Sequence, residues 1–196
     1  MITVKQYGIA LKSITENDLE LVRNWRNYNS VVKHMFFQHN ISQEEQQEWY
    51  RKLDKKHNLY FIYNEQGVIH LKNINWTKKE AEAGIFTIYQ GNSTKNMAAI
   101  ITLMDFAFNV LTLNQLLAKV KKSSSENITM NIQLGYNIIS EENRCIKMVC
   151  KNSEYKIEEP IRRWFEKISK EDSELTLEIS EESNWIKKYI HPSFLR

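Results

Sequence analysis

Apolar and polar positions alternate loosely over residues 2–12, which predicts a first strand. Thr15-Glu16-Asn17-Asp18 then matches an acidic capping box, and Leu19, Val22 and Trp25 follow at helical spacing. Ser42-Gln43-Glu44-Glu45 opens a second helix with Trp49 and Leu53 on its apolar face. The pattern next turns to sheet. Leu59–Tyr63, Val68–Trp76 and Ala81–Tyr89 are extended runs separated by polar turns, an antiparallel meander. After the polar loop Gly91-Asn92-Ser93-Thr94, residues Met97, Ile100, Ile101, Met104, Phe108 and Leu111 recur at helical intervals. Leu116–Val120 reads as a strand, Glu126–Leu134 as a short helix, and Tyr136–Ile139 with Cys145–Val149 as a closing hairpin. Pro160 suits the first turn of a helix carrying Ile161, Trp164, Phe165 and Ile168. Leu175, Leu177 and Ile179 alternate as a strand, and Trp185, Tyr189 and Ile190 indicate a last helix. The plan is mixed α/β, with residues 1–152 as one domain and 153–196 as a charged C-terminal extension that packs on the domain or on a partner subunit.

Composition narrows the classes. The 196 residues suffice for one full core, and glycine and proline together number only seven, which excludes collagen-like and low-complexity chains. No apolar run approaches the about 18 residues that span a bilayer, and Met1-Ile2-Thr3-Val4-Lys5 lacks a signal-peptide profile, so a cytoplasmic location without a membrane partner is expected. A net charge of +3 without a basic block argues against nucleic acid. Cys145 and Cys150, five apart on a strand, point to opposite faces and make neither a disulfide nor a thiolate metal site.

The strings Asp18-Leu19-Glu20-Leu21-Val22-Arg23-Asn24-Trp25-Arg26-Asn27, Ile41-Ser42 with Glu45 and Trp49, Ala81-Glu82-Ala83-Gly84-Ile85, Asp105-Phe106-Ala107-Phe108 and Leu134-Gly135-Tyr136 come in the order of the GCN5-related N-acetyltransferases. The chain resembles that family over roughly residues 2–150 by element order. The Trp25-Arg26-Asn27 helix followed by Ile41-Ser42 looks most like the branch that acetylates nucleotide-linked amino sugars, as in pseudaminic-acid synthesis. The resemblance implies a GNAT fold: a mixed, mostly antiparallel sheet flanked by helices, here with a helical C-terminal extension. It also implies acetyl-CoA as cofactor and a small-molecule amine as acceptor.

It further implies roles for particular residues. Backbone N–H groups around Phe86, Thr87 and Ile88 would polarise the thioester. The pyrophosphate loop falls on Gly91, Ser93, Thr94, Lys95, Asn96 and Met97, with Thr94 and Asn96 standing where the family has glycine. Ser124 takes the place of a CoA-contacting asparagine, and Asn131 that of the acid tyrosine, although an amide cannot serve as a general acid. Glu82 is the candidate proton acceptor, against the plainer reading of a sheet-edge carboxylate in a salt bridge. His70 is a candidate on the acceptor side that would titrate near neutral pH, against a hydrogen-bonded sheet histidine. Arg26 is a candidate for a diphosphate or carboxylate, against an ion pair holding its helix. Three alternatives remain: a protein N-terminus as acceptor, a binding or assembly module that has lost cofactor binding, and a homodimer using the C-terminal arm.

Overall fold

The computed structural model describes residues 1–88, 93–155, 157, 159–169 and 174–195. Nine strands form one sheet in the order β7-β8-β6-β5-β4-β3-β2-β1-β9. They are β1 Ile2–Gln6, β2 Ile9–Ser13, β3 Leu59–Tyr63, β4 Gly67–Asn75, β5 Glu80–Thr87, β6 Gln115–Lys121, β7 Asn137–Glu142, β8 Cys145–Lys151 and β9 Thr176–Ile179. Every neighbouring pair is antiparallel except β5 and β6. The helices are α1 Leu19–Arg26, α2 Asn29–Val32, α3 Gln43–Lys52, α4 Ser93–Asp105, α5 Ser125–Gln133 and α6 Glu159–Ser169. No helix among the described residues is long and apolar enough to cross a membrane.

Period-2 alternation sorts the side chains onto two faces. Leu11, Phe61, Tyr63, Ile69, Leu71 and Leu116 bury on one face against Ile101, Met104 and Phe106 of the α4 segment. The opposite face holds a smaller core of Leu19, Val22 and Trp25 from α1 on Val68, with Trp49, Tyr60, Ile62 and Phe86 around it.

The expected first strand is two. Tyr7 and Gly8 both have positive φ, 51° and 71°, and turn β1 back on β2 with Gln6 opposite Ile9. This is the left-handed two-residue turn of tight hairpins. A tyrosine there costs roughly 1 kcal/mol of backbone strain. Burial of its ring 5.6 Å from Phe165 and a hydrogen bond from Arg162 to its hydroxyl offset that cost.

On α3 the most buried residue is Gln46, and Trp49 and Leu53 are only half-buried. The long apolar helix ends in a π-helical turn at Phe106–Val110, and the helix expected around Trp185, Tyr189 and Ile190 is 3-10, at Glu181–Tyr189, with a short 3-10 turn at Pro192–Phe194 after it. Beyond residue 152, α6 lays Phe165 into the core and β9 pairs with β1. Ile161 and Trp164 of the same helix stay exposed.

Asp105, 2% exposed, joins this segment to the rest. It accepts two hydrogen bonds from Arg162 at 2.8 and 3.0 Å, one from Tyr155 at 3.0 Å and one from Gln6 at 2.9 Å. The carboxylate raises the Arg162 pKa above its ordinary value, chiefly through those hydrogen bonds.

Candidate active site

The one parallel contact in the sheet is short. β5 and β6 pair at Glu80–Gln115, Ala81–Leu116 and Glu82–Leu117 and then part, although β5 runs on to Thr87 and β6 to Lys121. Beyond Glu82 this central strand is only half-buried and is no longer paired with β6. The directions of its backbone groups follow from the other edge. Ile88 N–H donates to Gln66 O at 2.9 Å. By ladder alternation Ile88, Phe86 and Gly84 face β4, whereas Ala83, Ile85 and Thr87 turn their N–H and C=O groups into the split. This corrects the expectation for Phe86 and Ile88 as thioester donors, and leaves Thr87, with Ile85 beside it.

On the α1–α3 face of this split lie Lys72 and His70 of β4, Glu82 and Gly84 of β5, and Lys119 of β6. Glu82 binds Lys72 at 2.8 Å and Lys119 at 3.0 Å, one ammonium to each carboxylate oxygen. Burial raises its pKa, but the hydrogen bonds and charges of the two lysines outweigh this and hold it below its ordinary value. With a lysine ammonium on each carboxylate oxygen, Glu82 takes the form of the plainer reading, a sheet carboxylate in salt bridges. His70 stands opposite Gly84, with the Tyr60 ring 4.9 Å away. Burial, then the Lys72 charge, lower its pKa to about 4, so it does not titrate near neutrality as expected. Nor is it a hydrogen-bonded sheet histidine, for its ring nitrogens have no such partner among the described residues. Burial also raises the Tyr60 hydroxyl pKa, with Glu82 adding to it.

At the far end of β5, α4 begins at Ser93, and its first turn offers N–H groups that lack an acceptor within the helix. Lys95 is exposed there and Thr94 half-buried. The Asn96 side chain turns toward the sheet, its Oδ1 accepting from the Tyr63 hydroxyl at 2.9 Å. The Met97 side chain is half-buried and packs against the main core. Gly91 lies outside the described residues. Ser124 is the N-cap of α5 without a side-chain cap bond, and Asn131 sits half-buried seven residues on, on the same helix face.

Arg26 is half-buried at the end of α1. Its Nη2 donates to Phe37 O at 2.7 Å, and its Nη1 is buried without a partner. Burial lowers its pKa, and no carboxylate pairs with it among the described residues, so the ion-pair reading of this residue fails. From the opposite side, Lys121 donates to Lys33 O at 2.9 Å. The 33–37 segment, with exposed Phe36 and Phe37, is thus tied to α1 and to β6 at once.

A family model described as an acetyltransferase (GNAT) domain matches residues 11–156. The chain belongs to the GNAT acetyltransferase family. Solved structures agree on the fold of this GNAT protein. A spermidine N-acetyltransferase from Vibrio cholerae, solved with CoA and spermine, superposes with a TM-score of 0.68 at 19% identity, covering 76% of this chain and 98% of that one. A dodecameric structure of spermidine N-acetyltransferase from Vibrio cholerae gives 0.62 at 17%, covering 74% and 95%. No curated protein sequence matches the chain.

GNAT acetyltransferases use acetyl-CoA, and the residues present fit it. Past Glu82 the split turns the backbone of Ala83 and Ile85 away from any β6 pairing, which suits the amides of a pantetheine arm, and the α4 N-terminus with Lys95 suits a pyrophosphate. Gln66 adds a buried Oε1 without a partner beside Thr87 and Ile88. Sequence reasoning missed Lys72, Lys119 and Tyr60. The alternation of β4 and β6 hints at their faces, but only the register brings them to Glu82 and His70.

Proposed function

We propose that this GNAT protein transfers an acetyl group from acetyl-CoA to the amine of a small, negatively charged acceptor, a nucleotide-linked amino sugar being the leading candidate. When bound, acetyl-CoA supplies the thioester carbonyl that the amine attacks. Backbone groups of β5 along the split and the α4 N-terminus hold and orient the donor, and the β5–β6 split is the observation that supports acetyl transfer over a binding module.

The acceptor class rests on charge. Among the described residues on this side, Lys72 and Lys119 share the single carboxylate of Glu82, Lys121 donates to Lys33 O, and Arg26 adds a guanidinium without a counter-ion. Of the acidic residues on α1 and α3, Glu20 is paired with Arg23 and Glu48 with Arg51 and Lys52, while Glu44 and Glu45 hold the Ser42 cap. A polyamine, the ligand named for the Vibrio protein, would meet repulsion here. A diphosphate would meet attraction, and bidentate recognition by Arg26 suits it. Phe36 and Phe37 offer flat apolar surface for its base.

Calorimetric titration with acetyl-CoA tests the donor first, with binding expected at about 100 micromolar or tighter, worth roughly 5 to 6 kcal/mol. Thiol release is then followed with spermidine, a peptide N-terminus and a UDP-linked amino sugar. The sugar nucleotide is expected to exceed spermidine at least about tenfold in kcat/KM. The reverse order overturns the acceptor class, and absence of heat with acetyl-CoA overturns the transferase itself.

A further inference from the structure

Acetyl transfer to an amine releases a proton beside the reacting carbon, and neither residue expected to manage protons there is suited to it. Glu82 is held by two lysines, and Asn131 carries an amide. His70 remains. It pairs with Gly84 across β4 and β5, two residues beyond the last β5–β6 ladder pair, where the split opens. A methyl group on Gly84 would lie 2.7 Å from both Cε1 and Nε2 of the imidazole. The ring tip therefore rests directly over the backbone of the glycine, and only glycine admits it.

Tyr60 from β3 closes the other side, itself backed edge-on by Trp49 at 5.1 Å. The charged groups around the ring are Lys72 on its own strand and Glu82 on β5, with Lys119 of β6 binding Glu82 from the far side. Those three satisfy one another, whereas the imidazole nitrogens have no hydrogen-bond partner among the described residues. The residue is half-buried, and its ring nitrogens are not among the fully buried atoms that lack a partner, so the ring stays within reach of a water or substrate.

We propose that His70 is the catalytic residue that receives the acceptor amine, its unprotonated ring nitrogen accepting a hydrogen bond from the amine N–H and taking that proton as the carbon–nitrogen bond forms. The assignment rests on the acetyltransferase reading. The amine nitrogen bonds to the acetyl carbon and the carbon–sulfur bond breaks with its electron pair on sulfur. The proton passes from His70 through solvent to the thiolate, which restores the neutral ring and leaves one amide and one thiol. Burial keeps the ring uncharged before the reaction, and its low basicity makes it relay the proton rather than keep it.

The test compares H70A, H70Q and G84A with wild type. The amines are the best acceptor of the panel above and hydroxylamine as a generic probe, and acetyl-CoA affinity is measured calorimetrically on each variant. H70A and H70Q are expected to lose about 100-fold in kcat, the lower end of acid–base effects. Their acetyl-CoA Kd is expected to stay within about twofold. G84A meets only the far end of a flexible side chain, so it should fold, displace the imidazole and lose kcat as well. H70A or G84A retaining kcat within about threefold, with acetyl-CoA binding intact, overturns the assignment. A wild-type protein that gives no heat with acetyl-CoA removes the underlying reading and this role with it, a result the retained-kcat outcome cannot imitate.

Discussion

Glu82 shows how a neighbourhood decides a residue's role. A lone carboxylate on this strand would be a plausible base, but two ammonium groups within 3.0 Å convert it into an anchor for positive charge. Glu82→Gln should therefore destabilise the protein by about 1 to 2 kcal/mol, an amount between exposed and buried pairs. Denaturant unfolding at neutral pH would measure it. The folded carboxyl lies below its ordinary value of 4.5, so its contribution is full above that value and fades as pH falls through the lower folded one. The wild-type and variant stability curves should converge in that acid window, and a constant gap would argue against the ion pair. The same substitution frees both lysines, so KM for an anionic acceptor should fall roughly threefold, whereas a polyamine acceptor would show a rise.

At the scale of elements, α4 is held at both ends by polar contacts under an apolar body. Near its start the Tyr63 hydroxyl, pushed up to about 12 by burial, donates to Asn96. Tyr63→Phe should cost about 1 kcal/mol and weaken acetyl-CoA binding more than it alters kcat, because it loosens the turn that would face the pyrophosphate. At the other end Asp105 collects Arg162, Tyr155 and Gln6. Asp105→Ala removes the carboxylate from a partly buried guanidinium and takes an acceptor from Tyr155 and Gln6, for an expected loss of about 3 to 5 kcal/mol in chemical denaturation. The elements themselves were largely legible, since helix spacing and capping boxes are local properties. The Tyr7-Gly8 hairpin was not, because a tyrosine at positive φ is tolerated only when Arg162 and Phe165, more than 150 residues away, hold its side chain. Gln46 escaped for a related reason: burial on α3 depends on what packs there, and the apolar count pointed to Trp49.

For the whole molecule, the segment beyond residue 152 closes the sheet edge with β9 and buries Phe165, Leu175, Ile186 and Ile190. Truncation at residue 152 is expected to expose this core and leave β1 as an open edge, giving a lower melting temperature and self-association on size exclusion. An acceptor drawn in by Lys72, Lys119 and Arg26 should show KM rising with salt as screening shortens to about 8 Å at physiological ionic strength; a salt-independent KM would count against an anionic acceptor. The sequence by itself determined the order of helices and strands, the two-faced strands and the family strings, because periodicity, capping and turn chemistry act over neighbouring residues. Tertiary structure alone decided which backbone groups face the split, that Glu82 is clamped, and that His70 stands unpartnered over Gly84. Each of these depends on the register between strands joined by loops of different length, and a shift of one residue would send every one of those side chains to the other face.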